Sequence, residues 1–283
     1  MVCGPTASGK SALADRLADG LQRASGCRTP AIVVDSMQVY RELPVVSNQQ
    51  RDREAELTGV ASVFEEWTVA RHREAAERVI SDAQGPFVLD AGTGMYLNSI
   101  ILDVDLAPKV SAEVRAEAEP RTGAGDNPRR EARRIELELA GAEDRGSIWE
   151  GQLVYPTAVL YIRPEREELD RNIAERSRKI ARRGAEEVRE VLRRSSELEI
   201  SPNDSVEQSI GFREMTAYLR GEATLEWAEQ KIRSRTRRLA RRQMRWFDKL
   251  CESVPDQARV TVCESPHSEK AASYMRGIIE AWQ

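Results

Sequence analysis

An α/β fold, a parallel sheet covered by helices, is predicted by three features of the sequence. A glycine-rich loop stands between a short apolar run and a helical pattern at the N-terminus. Apolar runs of strand length then alternate with patterns of helical period. Two of those runs end in an aspartate, where a sheet of this class carries its ligands.

The elements follow in order. Met1–Cys3 is apolar and leads straight into Gly4–Ser11. Only three residues precede Gly4, fewer than the roughly five of a usual strand, so the strand is clipped or the natural start lies upstream. Leu13, Leu17 and Leu21 then recur at helical spacing. Ala31–Val34 reads as a buried strand closed by Asp35, Trp67–Ile80 as a helix, and Phe87–Leu89 as a second strand. After Asn98 the texture turns charged, and Arg121–Pro128 signals a loop. Thr157–Ile162 returns as a strand. Pro164–Arg194 is a long helix pattern of mixed charge, expected to break near Gly184. Val206–Leu219 and Thr224–Leu250 read as further helices, Thr261-Val262 as a last strand, and a short helix follows. The expected organisation is an α/β core at 1–105 and 151–283, with a helical insertion, a possible substrate-binding subdomain, at 106–150.

Composition narrows the class. The 283 residues are 40% hydrophobic and 32% charged, which suits a soluble globular chain rather than a disordered one. No run reaches the roughly 20 apolar residues of a bilayer-spanning helix, and no signal peptide is visible. Cys3, Cys27, Cys251 and Cys263 are scattered without a paired motif, so neither a disulfide framework nor a zinc ribbon is indicated. A cytoplasmic location is expected. The absence of heptads points to a monomer. Net charge is −4, which does not by itself announce a nucleic-acid partner.

Gly4-Pro5-Thr6-Ala7-Ser8-Gly9-Lys10-Ser11 matches the full phosphate-loop spacing, with the correct flanks. Such a loop curls its backbone N–H groups around phosphate oxygens at a helix N-terminus. Lys10 supplies a point charge, and the Ser11 hydroxyl can ligate Mg²⁺. The fold is therefore expected to be P-loop NTPase-like. Asp35 is readable as a Mg²⁺-directed carboxylate, a general base or a helix cap, and Ser36-Met37-Gln38 beside it could hold a planar polar partner. Asp90 competes for the metal-directed role. Thr93 lies in the small-residue turn Ala91–Gly94, at the same sheet edge.

Lys231–Leu250 carries Lys or Arg at 231, 233, 235, 237, 238, 241, 242, 245 and 249 against one acid, Asp248. Ile232, Thr236, Leu239, Gln243, Trp246 and Leu250 form its packing stripe. A cationic face with so few acidic partners suits phosphate. His72 reads as a surface helix residue, and the tryptophans as packing.

Taken together, Gly4–Ser11 (GPTASGKS), Asp35–Arg41 (DSMQVYR), Gly92–Leu97 (GTGMYL), Ser209–Glu214 (SIGFRE) and Thr236–Trp246 (TRRLARRQMRW) resemble the tRNA dimethylallyltransferases. The resemblance implies that the loop holds the diphosphate of dimethylallyl diphosphate, and that an adenine N6 amine attacks the allylic carbon. It implies Asp35 as general base, Lys10, Thr93 and Arg237 as diphosphate ligands, and Ser11 as the Mg²⁺ ligand. Asp126–Arg133 is similar to a substrate-contacting stretch of that family, which makes Arg129, Arg130 and Arg133 acceptor-binding candidates along with Ser36, Met37 and Gln38. Departures are Asp90 and Ala91, where the family usually has an apolar residue and a glycine, Arg129 in place of a glutamine, and a shortened insertion. The expected acceptor is adenosine 37 of tRNA. A free adenine nucleotide or another small acceptor, and phosphoryl transfer by a kinase or NTPase using Lys10, Ser11 and Asp90, are the competing readings.

Overall fold

Short β-branched runs make the strands of a five-stranded parallel sheet in this computed structural model, which describes residues 1–108, 110–121, 128–142, 148–254, 256 and 258–282, with the side chains of Ala112 and of 128–130 excepted. The strands are β1 (Val2–Cys3), β2 (Ala31–Val34), β3 (Val88–Ala91), β4 (Thr157–Ile162) and β5 (Ala258–Cys263), in spatial order β2-β3-β1-β4-β5. All pairings are parallel. β1 is short, but its pairing with β4 continues through Met1, whose amino group donates to the Ala158 carbonyl at 2.6 Å.

The helices are α1 (Lys10–Ser25), α2 (Val69–Asp82), α3 (Gly94–Ile101), α4 (Ala112–Ala118), α5 (Pro128–Leu139), α6 (Arg166–Leu198), α7 (Asp204–Glu207), α8 (Phe212–Leu219), α9 (Leu225–Ser253) and α10 (Glu269–Glu280). A 3₁₀ turn spans Glu119–Arg121. Side-chain caps start several of them: Thr68 accepts from Arg71 N–H, Thr224 from Trp227 N–H and Ser268 from Ala271 N–H.

Strand alternation puts two layers on the sheet. In β4, Val159 and Tyr161 face a core with Leu97, Phe247 and Leu250, while Leu160 and Ile162 face Leu13, Leu17 and Ala271. Burial on both faces explains why the strands read as continuous apolar runs. A third cluster joins the loop after β2 to the helices, through Val39, Tyr40, Val46, Ile180, Phe212, Met215 and Ile232.

Three expectations are corrected here. α6 runs unbroken through Gly184. That glycine makes room instead: a Cβ there would meet Val46 at 3.0 Å. Gly211 contacts the other methyl of Val46, at 2.8 Å from a would-be Cβ, and its φ of 100° divides α7 from α8 where one helix was expected. His72 is fully buried rather than on the surface, and accepts a hydrogen bond from the Trp67 indole N–H at 3.1 Å.

The segment 106–150 contributes α4 and α5. Among the described residues, no helix is long and apolar enough to cross a membrane.

Candidate active site

The carboxyl ends of β1, β2 and β3 bring the phosphate loop, Asp35 and Thr93 to one sheet edge. The loop is held from three sides. Gly4 N–H donates to the Ala91 carbonyl at 3.3 Å. On the α6 side, Asn172 donates to the Ala7 carbonyl at 3.1 Å, and Arg176 to the Thr6 hydroxyl at 2.9 Å. From α9, Gln243 accepts from Thr6 N–H at 2.8 Å and donates to the Gly92 carbonyl at 2.7 Å. Ala7 and Gly9 adopt positive φ, as a loop curled around an anion requires. The Ser8 hydroxyl is buried with no partner among the described residues.

Asp35 splits its carboxylate. Oδ1 accepts from Met37 N–H at 2.8 Å and Gln38 N–H at 3.3 Å, an Asx turn that shapes the loop after β2. Oδ2 stands over Gly92, where a Cβ would lie 2.9 Å from it and 3.4 Å from Lys10 Nζ. Only a glycine lets the carboxylate and the ammonium close over that turn. Thr93 accepts from Ser36 N–H at 3.2 Å, so its hydroxyl supports the same loop.

A cleft of about 510 Å³ opens above these groups. Thr6, Lys10, Asp35, Ser36, Met37 and Gln38 line it together with Arg176, Arg213, Arg235, Arg242 and Gln243. Burial lowers the basicity of Arg176, and the Asp35 charge opposes that shift. The cations outnumber the single carboxylate, so the cleft suits a polyanion beside a group that gives up a proton.

The other expected residues sit elsewhere. Arg237 does not line the cleft; it pairs with Asp170 at 2.9 Å. The helical period turns 237 away from the face shared by Leu239, Arg242 and Gln243. Arg133 pairs with Glu136 at 2.8 Å and donates to the Ala107 and Pro108 carbonyls, also away from the cleft. The side chains of Arg129 and Arg130 lie outside the described residues, as do Asp126 and Asn127. Ser11 lines a separate hollow with Asp15, Arg51 and Asp52. Asp90 is bound by Arg51 at 2.7 Å, and Arg51 also binds Asp15 at 2.5 Å. Arg51 holds Asp90 through Oδ2, while Asp90 Oδ1 is buried with no partner among the described residues.

Sequence reasoning missed Arg176, Gln243 and Arg51. Arg176 lies in a helix read only as one of mixed charge, although Ile173, Ser177 and Ile180 around it are buried. Gln243 was legible as a polar member, with Thr236, of an otherwise apolar stripe. Nothing local marks Arg51, because its partners are 36 and 39 residues away.

Comparison with known proteins gives the family. The IPP transferase family pattern matches residues 38–132 and 124–250. A tRNA dimethylallyltransferase of Rubrobacter xylanophilus is 54% identical over 99% of this chain and 97% of its own length. One from Phenylobacterium zucineum is 32% identical over 87% of this chain and 88% of its own. Among solved structures, the tRNA isopentenylpyrophosphate transferase of Bacillus halodurans superposes with a TM-score of 0.69 at 24% identity, covering 99% of this chain and 96% of that one. A eukaryotic dimethylallyltransferase acting on tRNA gives a TM-score of 0.71 at 20% identity, with 99% and 79% covered, and at such identities the likeness is one of fold. The chain belongs to the IPP transferase family, the tRNA dimethylallyltransferases.

Proposed function

We propose that the protein transfers a dimethylallyl group from dimethylallyl diphosphate to N6 of an adenine, adenosine 37 beside the anticodon of tRNA, and releases diphosphate. The observation that carries this reading is the free Asp35 Oδ2 beside Lys10, at the mouth of the phosphate loop. The N6 nitrogen forms a bond to the allylic carbon as the carbon–oxygen bond to diphosphate breaks. The N6 proton passes to Asp35 Oδ2. Negative charge gathers on the departing diphosphate, where the loop N–H groups, Lys10 and the Thr6-bound Arg176 oppose it without having to reorganise. Arg242, which lines the same cleft, adds to this charge. Arg237 would reach the diphosphate only by leaving Asp170.

Mg²⁺ fits this arrangement through the diphosphate rather than through a protein cage. Among the described residues, no group of three or more His, Cys, Asp or Glu stands together as a metal site. The Ser11 hydroxyl at the start of α1 would complete a shell made mostly of phosphate oxygens and water. Bound there, the ion would screen the charge of the leaving group. Residues 106–150, with α4 and α5, are proposed as the acceptor-side subdomain on the core formed by 1–105 and 151–283. A monomer in the cytoplasm completes the reading.

The test is a mass-spectrometric prenylation assay with Mg²⁺ and dimethylallyl diphosphate. Unmodified tRNA is offered in one reaction, and AMP, ADP and ATP in another. A five-carbon gain on tRNA adenosine, lost in Asp35→Ala, is expected. A gain on free nucleotides only would transfer the activity to a small acceptor and overturn the tRNA assignment.

A further inference from the structure

We propose that a second hollow of about 920 Å³ beside the cleft is the track for the single-stranded RNA that flanks the target adenosine. This rests on the proposed transfer to tRNA. The two hollows adjoin: Gln208, Ile210, Arg213, Arg235 and Arg242 line both. The outer part is built by Arg220 at the end of α8 and by Trp227, Lys231 and Arg238 on α9.

Three properties of that outer wall point to RNA. Arg220, Lys231 and Arg238 form no ion pair with any described residue. On α6, by contrast, arginines find acids: Arg193 pairs with Glu190 at 2.8 Å, and Arg189 pairs with Glu186. Glu207 and Glu222 also line the hollow, and Glu214 is buried against Arg235, so the available charge is positive. Unpaired cations at helical spacing along a groove are what a phosphodiester backbone recruits.

The second property is aromatic. Trp227 is 45% exposed, where an indole gains nothing from the core, and Lys231 Nζ lies 5.8 Å from its ring centroid. A half-exposed indole among cations is a platform for a base in single-stranded RNA. The third is length. A mononucleotide in the cleft has no second base or phosphate to place in the hollow. A loop strand does, once its adenine has turned inward toward Asp35.

The experiment uses the full chain and a fluorescent, unmodified tRNA anticodon stem-loop, with binding read by anisotropy across a salt series. The triple variant R220Q/K231Q/R238Q is expected to bind at least about ten-fold more weakly, with the slope of log affinity against log salt reduced by about two. Trp227→Ala is expected to weaken binding about five-fold or more with the slope unchanged. Arg189→Gln, on the paired face of α6, should bind like the parent. The proposal is overturned if the parent prenylates the stem-loop while the triple variant binds it within two-fold and with the same slope. If the parent neither binds nor prenylates the stem-loop yet modifies free nucleotides, the tRNA assignment fails first and the track falls with it.

Discussion

Gln243 accepts a hydrogen bond from the backbone N–H of Thr6 at 2.8 Å, and the other end of the same amide donates to the Gly92 carbonyl at 2.7 Å. One side chain from α9 therefore sets the spacing between the phosphate loop and the turn that carries Thr93. Gln243→Ala should leave the fold intact, at a cost of about 1–2 kcal/mol, and lower kcat/KM at least about ten-fold. The KM for dimethylallyl diphosphate should rise more than that for tRNA. Steady-state kinetics with each substrate varied in turn would reveal it, and equal effects on both would refute the spacing role.

Asp35→Asn separates the two jobs of that carboxylate. The amide oxygen still accepts from Met37 and Gln38 N–H, so the loop after β2 should keep its shape. The proton acceptor is gone, and kcat should fall about 10²- to 10⁴-fold. Affinity for dimethylallyl diphosphate, measured by calorimetry, should change by no more than a few-fold. A variant that keeps full turnover would remove Asp35 from the chemistry.

Arg51 is 4% exposed between Asp15 and Asp90, which are 9% and 1% exposed. Arg51→Met leaves two buried carboxylates without a counter-charge, at about 3–5 kcal/mol. The melting midpoint should drop by roughly 10 °C. Adding Asp15→Asn and Asp90→Asn to that variant should restore much of the loss. Unchanged melting in Arg51→Met would show that the network contributes nothing net.

His72 gives the protein an acid sensitivity near neutrality. Burial lowers its pKa from 6.5 to about 4. The unfolded chain therefore binds a proton between those values that the folded chain refuses, so stability falls as pH drops through that window. The slope is about 1.4 kcal/mol per pH unit. Urea unfolding between pH 6.5 and 5 should show it, and His72→Gln, which keeps an acceptor for the Trp67 indole, should flatten it. A slope that persists in the variant would assign the effect to other groups.

The legible parts of the sequence are those whose cause is local. The phosphate loop, the strands closed by Asp35 and Asp90, and the packing stripe of α9 each follow from spacing within about a dozen residues. α6 was readable as a helix, but the meaning of Gly184 was not, because its reason is Val46, on another segment. Arg176 and Arg51 escaped for the same cause: charge patterns describe a helix or loop alone, whereas these guanidiniums are defined by Thr6, Asp15 and Asp90. His72 was misplaced because its neighbours on α2 are charged, while the surface it meets belongs to Trp67 and Tyr96.

Val46 sits with one methyl against Gly184 and the other against Gly211. The three positions consequently share one volume, and relatives of this chain are not free to vary them separately. A larger residue at 184 is admissible only where 46 has shrunk, while 211 stays glycine on account of its backbone as well. Substitution at these sites should be correlated across the family, and a designer who enlarges one should expect the repair to lie at Val46.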